Sequence, residues 1–265
     1  MRGEAAQLAA SGAAPAGTRV LERSLALLFE LGEAGARLPT AELARRAGLP
    51  PSTAYRLVDE LEAHGLVERD GDGGLALGLR MLGLARRVED RLAASLIEPA
   101  RGIMRELASE HDETALLTAP AGRSAIGLDA IEPQRPVRLS YGRWRTAPMH
   151  LGASGKVLLA FLPERAAERV LAGVDHSLTA SGRPVDVERL RRELAEVRER
   201  GVVVTHGELD PGVSGVAAPV LGPRGRLVAG LTLVGPTDRV APGAERLSAA
   251  VREAASAIQL AVHDR

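Results

Sequence analysis

Ser52, Thr53, Tyr55 and Arg56 set two short hydroxyls, a phenol and a guanidinium into one stretch of chain. If that stretch is helical, the face opposite Ala54, Leu57 and Leu61 is centred on Ser52, Arg56 and Asp59, with Thr53 and Tyr55 flanking it. Such donors suit phosphate oxygens and base edges, and an arginine paired to guanine through two hydrogen bonds is worth about 1–3 kcal/mol of discrimination. Open N–H groups in the helix's first turn add a phosphate seat. Thr40 and Arg45, one element earlier, join the same DNA-facing set. Asp59, Glu60 and Glu62 fall in the second half of the helix and point away from a groove that only its leading turns enter.

Other chemical motifs fail on spacing. Gly152-Ala153-Ser154-Gly155-Lys156 has two residues between its glycines where a phosphate-binding loop needs four, and Val157 stands where Ser or Thr is required. Gly212-Val213-Ser214-Gly215 places its second glycine one position early for a hydrolase elbow. His111, His150, His176 and His206 are scattered with no pair at metal spacing. There is no cysteine, so disulfides and thiol chemistry are excluded. No catalytic residue, metal or cofactor is expected.

The 265 residues are 45% hydrophobic and 26% charged, enough for a real core in one large or two modest domains. Formal net charge is zero, so any DNA contact must be a local patch. No apolar run nears the roughly 20 residues that span a bilayer. The best, Leu227 to Val234, is interrupted by Gly230 and Thr232 and reads as a strand. The Ala/Gly-rich segment 1–18 carries Glu4 early and reads as a disordered tail rather than an export signal, which makes the protein cytoplasmic.

The elements that must position the donor face follow from periodicity. Leu21, Leu25 and Leu28 predict a first helix over 21–32, stopped by Gly32 and Gly35. Thr40 is placed as the N-cap of a short second helix that Gly48 ends in the left-handed conformation. Pro51 opens a third helix with the stripe Ala54, Leu57, Val58 and Leu61, closed by Gly65. Leu66 to Arg69 and Leu75 to Leu77 flank a glycine-rich turn, forming a wing. Three helices and a hairpin in this order make a winged helix-turn-helix.

The run from Ala41 to Leu79 resembles the helix-turn-helix of the IclR family of transcriptional regulators, on Gly48-Leu49, Ser52-Thr53 and Arg56-Leu57. The resemblance implies an operator-reading regulator, repressor or activator, and it extends to the C-terminus. Met81, Leu84, Val88 and Leu92 form the stripe of a connecting helix and a candidate dimer seam. A new helix is expected to open at Pro99. Beyond Glu113, strands are expected at 115–118, 125–130, 137–140, 202–205, 215–221 and 227–234, with helices at 153–162, 186–200 and 242–262. The turn Gly222-Pro223-Arg224-Gly225 makes the last two strands a hairpin.

The expected fold is therefore α+β: tail 1–18, winged helix-turn-helix 19–79, linker helix 80–97, and over 98–265 a GAF-like effector domain with an antiparallel sheet. The family's pocket positions, carried over residue by residue, are Leu139, Ala147, Ala153, Ser154, Thr205, Gly215, Thr232 and Val234. Thr232 and Val234, two apart on one strand, share a face. Trp144 joins the set from a loop that also holds Tyr141, Arg143 and Arg145, read either as a lid over a larger, aromatic carboxylate or as a surface loop docking on its own domain. The opening of the helix at Ala153 offers free N–H groups to a carboxylate. The resemblance implies that members binding small hydrophilic acids carry a polar side chain at this position, so the apolar Val234 argues against a very small polar acid. The resemblance implies double-stranded DNA with a pseudo-palindromic operator, a small-molecule effector of carboxylate type, and a homodimer or dimer of dimers, with no membrane partner. The rival readings are an effector-independent dimeric regulator and a metabolite-converting enzyme of the same fold.

Overall fold

The computed structural model describes residues 16–174 and 178–263, so most of the expected tail, and His176, lie outside the described residues. Contacts divide the chain between Arg91 and Leu92 into two compact units. Among the described residues, no helix is long and apolar enough to cross a membrane.

The first unit runs α1 (Ala16–Ala34), β1 (Leu38–Pro39), α2 (Thr40–Arg46), α3 (Pro51–Ala63), β2 (Val67–Arg69), β3 (Gly74–Leu77) and α4 (Arg80–Leu92). Its core joins Ala26, Leu27 and Leu31 of α1, Leu43 and Ala44 of α2, the α3 stripe, and Val67 and Leu75 of the wing. Ala54, Leu57, Val58 and Leu61 are all buried, as their period demands. Gly48 and Gly65 adopt φ of 64° and 69°, the left-handed values that end α2 and the turn after α3.

Two expectations change here. Helix α1 starts at Ala16, and its core face is Ala26, Leu27 and Leu31, while Leu21 and Leu25 are 59% and 37% exposed. A helix with leucine on several sides has more than one apolar stripe, and periodicity alone does not choose between them. Thr40 is the first helical residue rather than the cap: Pro39 holds that place without a side-chain bond, and Thr40 is buried. The wing also gains a third strand, because β1 pairs with β3 at Leu38–Leu75.

The second unit opens with a π-type turn (Ala93–Ile97) running into α5 (Glu98–His111). Helix α5 carries Pro99 in its first turn and ends before Asp112, as expected, but Ile97 keeps right-handed helical dihedrals, so the helix continues from the π-type turn rather than starting afresh. The wider turn absorbs the N–H that proline lacks. Then follow β4 (Thr114–Ala121), β5 (Ser124–Ile131), β6 (Thr146–Pro148), α6 (Gly152–Phe161), α7 (Glu164–Leu171), α8 (Val187–Arg200), β7 (Val203–His206), β8 (Val213–Leu221), β9 (Leu227–Pro236), α9 (Thr237–Val240) and α10 (Ala244–His263). The six strands form one antiparallel sheet in the order β6-β5-β4-β9-β8-β7.

Period-2 alternation sorts the sheet's two faces. Ala229, Leu231 and Leu233 of β9 face α5 and α10 with Leu117 and Val216. The opposite face meets α6 and α8 through Val157, Leu158, Leu190 and Leu194. The expected strand 137–140 is absent. Pro133 and Pro136 immediately precede that stretch, and two of its carbonyls are taken by side chains: Thr114 Oγ1 donates to Leu139 O at 2.7 Å and Arg239 Nη1 to Val137 O at 3.2 Å. The sheet edge is instead β6, paired with β5 at Ala125–Ala147.

Candidate functional site

In the first unit, the buried stripe of α3 turns its other side outward. Ser52, Tyr55 and Arg56 are exposed and Thr53 is half-buried. Arg56 makes no hydrogen bond or ion pair with the described residues, so its guanidinium is open to an acceptor. Arg45 is exposed, but its guanidinium grips Glu42 through bonds of 2.8 and 2.6 Å. Arg46 reaches the same carboxylate at 2.9 Å. These bonds, Arg45's first and then Arg46's, hold the Glu42 carboxyl down to about 2. The trio keeps one net positive charge.

Thr40, expected at the DNA surface, is turned inward, and its hydroxyl accepts from Arg69 Nη1 at 3.2 Å. Arg69 also bonds Glu62 at 3.2 Å and Asp59 at 3.3 Å. One arginine on β2 thus ties the start of α2 to the second half of α3 and offsets one of the two carboxylate charges it bonds. Sequence reasoning missed it, because its partners lie 29 and 10 residues away. At the wing tip Asp70 Oδ1 accepts the backbone N–H of Asp72 and Gly74 at 3.1 and 2.7 Å, which fixes the turn.

In the second unit, a cavity of about 70 Å³ opens between the head of α6 and the sheet. Ala147, Ala153, Ser154, Thr205, Gly215, Thr232 and Val234 all line it. Alternation explains the grouping: Thr232 and Val234 point to the face opposite Leu231 and Leu233. Ser154 Oγ and Thr232 Oγ1 are 3.0 Å apart and join α6 to β9. Gly215 lets α6 approach closely, since a Cβ there would sit 3.1 Å from that of Ala153 and one of the two would have to shift by a few tenths of an ångström.

Leu139 and Trp144 are not part of the lining. Leu139 belongs to the irregular segment tied to Thr114, described above. Trp144 has φ of 68°, donates its N–H to Gly127 O at 2.7 Å, and lays its ring against the core under α5 and α10. The left-handed residue turns the indole away from the cavity. Its neighbours Tyr141 and Arg145 reach the lining instead. Arg145 stands over the Tyr141 ring at 5.4 Å. The Tyr141 hydroxyl donates to Asp210 Oδ2 at 3.2 Å, and burial followed by that carboxylate pushes the phenol up to about 12.

The head of α6 has four N–H groups without intrahelical partners, as any helix start does. Gly152 N donates to Glu208 Oε2 at 3.1 Å, while Ala153 and Ser154 border the cavity. Lys156, the chain's single lysine, is buried and bonds Glu193 and Glu208 at 2.7 Å each. That places the near-miss phosphate motif in a structural role, its ammonium held between two carboxylates. His150 is buried, with no hydrogen-bond partner for Nε2 among the described residues. Burial first, then the nearby Arg123 and Lys156 charges, push it down to about 4, so it is neutral at pH 7. No cluster of His, Cys, Asp or Glu able to hold a metal ion occurs among the described residues.

Against known proteins, residues 20–71 match the family model described as the IclR helix-turn-helix domain. Residues 92–260 match that of the bacterial transcriptional regulator IclR C-terminal domain. The HTH-type transcriptional regulator KipR of Bacillus subtilis is 31% identical over 198 residues, covering 75% of this chain and 78% of KipR. A crystal structure of an IclR regulator from Silicibacter sp. TM1040 superposes with a TM-score of 0.75 at 27% identity, covering 92% of this chain and 96% of that one. An IclR homolog of Microbacterium hydrocarbonoxydans complexed with 4-hydroxybenzoate gives 0.67 at 28% identity, covering 92% and 98%.

Proposed function

The chain belongs to the IclR family of bacterial transcriptional regulators, and from that premise we propose that it is a homodimer reading a pseudo-palindromic operator under the control of a carboxylate effector. It is a DNA-binding regulator with an effector-binding C-terminal domain, and the family is not one of enzymes. The observation that carries the finer reading is the pairing, within one chain, of an open donor face on α3 and a cavity at the head of α6.

On the DNA side, Arg56 is the base-reading residue, with Ser52, Thr53 and Tyr55 beside it and Arg45 on phosphate. Thr40 acts from inside, positioning the wing through Arg69. One recognition helix covers half a site, so two copies related by a two-fold axis read half-sites about one helical turn, roughly 34–36 Å, apart. The exposed Leu82, Leu84 and Val88 of α4 offer a seam for that pairing.

On the ligand side, the apolar lining with Ser154, Thr232 and Thr205 as polar points suits a small acid with an apolar body. The relative crystallised with 4-hydroxybenzoate supports an acid of that kind. Arg145 at the cavity and the open N–H groups of Ala153 and Ser154 are its carboxylate partners. The protein acts in the cytoplasm, where its operator is.

Operators selected from random duplexes by the full-length protein test the reading. Footprinting shows two protected half-sites, and Arg56→Ala weakens binding and relaxes one base position by about 1–3 kcal/mol. Normal operator binding by Arg56→Ala would remove the recognition face from α3.

A further inference from the structure

The anion seat at the head of α6 already holds a carboxylate, and it is the protein's own. Glu208 Oε2 takes the Gly152 N–H at 3.1 Å while Oε1 takes Lys156 Nζ at 2.7 Å. Gly152 and Lys156 are four residues apart, so an N–H and an ammonium one helical turn away meet on one face. The Lys156 side chain is 8% exposed, and its ammonium is also bonded by Glu193 at 2.7 Å. Glu208 itself lines the cavity and is 24% exposed.

The segment that delivers Glu208 is bounded by Gly207 and Gly212, with φ of 62° and 74°. The backbone of this segment is held at two points, Glu208 O accepting from Ala180 N and Gly212 O from Thr237 N at 2.8 Å each, and side chains make further contacts between the glycines. Leu209 lies over Gly152, its Cβ 3.4 Å from where a Cβ on that glycine would stand, and Asp210 accepts from Tyr141. Both Leu209 and Asp210 also border the cavity. A ligand acid drawn to the neighbouring N–H groups of Ala153 and Ser154 therefore arrives beside a second carboxylate, and like charges at contact distance in a half-buried site repel strongly.

We propose that Glu208 is an internal competitor for the effector's carboxylate: it fills the anion seat at the head of α6 and is driven off it when the cavity takes an acid. The inference rests on the cavity being the effector site and adds how that site is regulated. Displacement of Glu208 carries Leu209 and Asp210 with it, so ligand charge is converted into movement of the β7–β8 connection. A neutral ligand of the same shape fills the cavity and leaves Glu208 seated.

The test uses the full chain as wild type, Glu208→Ala and Glu208→Gln. In thermal melts at constant ionic strength, sodium formate raises the midpoint of Glu208→Ala by about 2–4 °C while leaving wild type unmoved, and formamide moves neither. Equal responses of wild type and variant to formate overturn the proposal. Calorimetry with benzoate and benzamide supplies the second arm, which does not depend on the alanine variant folding. Glu208→Gln binds benzoate about tenfold more tightly than wild type does, the scale of one charge-assisted hydrogen bond, with benzamide unchanged. A parallel change for acid and amide also overturns it. Absence of heat from benzoate with every protein counts against the effector reading alone, because the formate arm still decides whether Glu208 holds an exchangeable seat.

Discussion

Ser154 and Thr232 meet hydroxyl to hydroxyl at 3.0 Å, one from the first turn of α6 and the other from the inward face of β9. The pair borders the cavity and leaves each oxygen lone pairs for a ligand. Thr232→Val keeps the shape and removes one partner. Effector affinity falls by about 1 kcal/mol, the usual net value of such a bond. Operator affinity without effector is unchanged, because Thr232 lies in the second unit. Gel shifts with and without ligand read both quantities, and loss of ligand-free operator binding would count against the assignment.

Arg69→Met cuts three links at once and leaves Asp59 and Glu62 without their cation. The pairs are partly exposed, so the cost in stability is modest, about 1 kcal/mol. DNA affinity falls as well, through two uncompensated carboxylates beside the phosphates. The triple variant Arg69→Met/Asp59→Asn/Glu62→Gln regains most of that affinity. Failure to regain it would make Arg69 a direct phosphate ligand.

His150 makes stability depend on pH. Its folded value of about 4 is below the ordinary 6.5, so the unfolded chain binds the proton more readily. Its contribution is complete above pH 6.5 and is lost as pH falls toward 4, about 3 kcal/mol over the window. Wild type therefore loses more stability across that range than His150→Leu. Melts of both proteins between pH 7 and 4 give the difference directly, and parallel curves would contradict the assignment.

Gly155 is where α6 crosses the chain that leads into it. A Cβ there would lie 2.7 Å from Pro148 O and 2.8 Å from Met149 O, both backbone atoms that cannot swing aside. Gly155→Ala pushes the helix off the sheet and destabilises the second unit by about 1–3 kcal/mol, despite alanine's better helix propensity. Urea denaturation followed in that unit checks the loss.

Local signals were readable in the sequence wherever a residue's role was set by its near neighbours. The α3 stripe, the left-handed Gly48, Gly65 and Gly201, and the reversal at Gly222–Gly225 all lie within a turn or two of what they serve. The cavity positions on β8 and β9 were readable through the resemblance and through alternation. What escaped was decided at long range. Thr40 reads as a cap until Arg69 arrives from 29 residues away. Residues 137–140 read as a strand until Thr114 and Arg239, 25 and 102 residues distant, claim their carbonyls. Helix α7 was passed over, and β6 is only three residues long with a proline, too short for any period. Glu208 finds Lys156 across 52 residues, and no local pattern marks it.

Helix α4 has no buried residue among its thirteen. An isolated segment of that length is at the edge of folding in water, and this one turns Leu82, Leu84 and Val88 into solvent. In the proposed homodimer a second copy covers these side chains, so the order of α4 depends on pairing and is expected to fall as the chain is diluted. The proposal thereby ties responsiveness to copy number: too few chains leave the linker helix uncovered in subunits whose effector domains are intact.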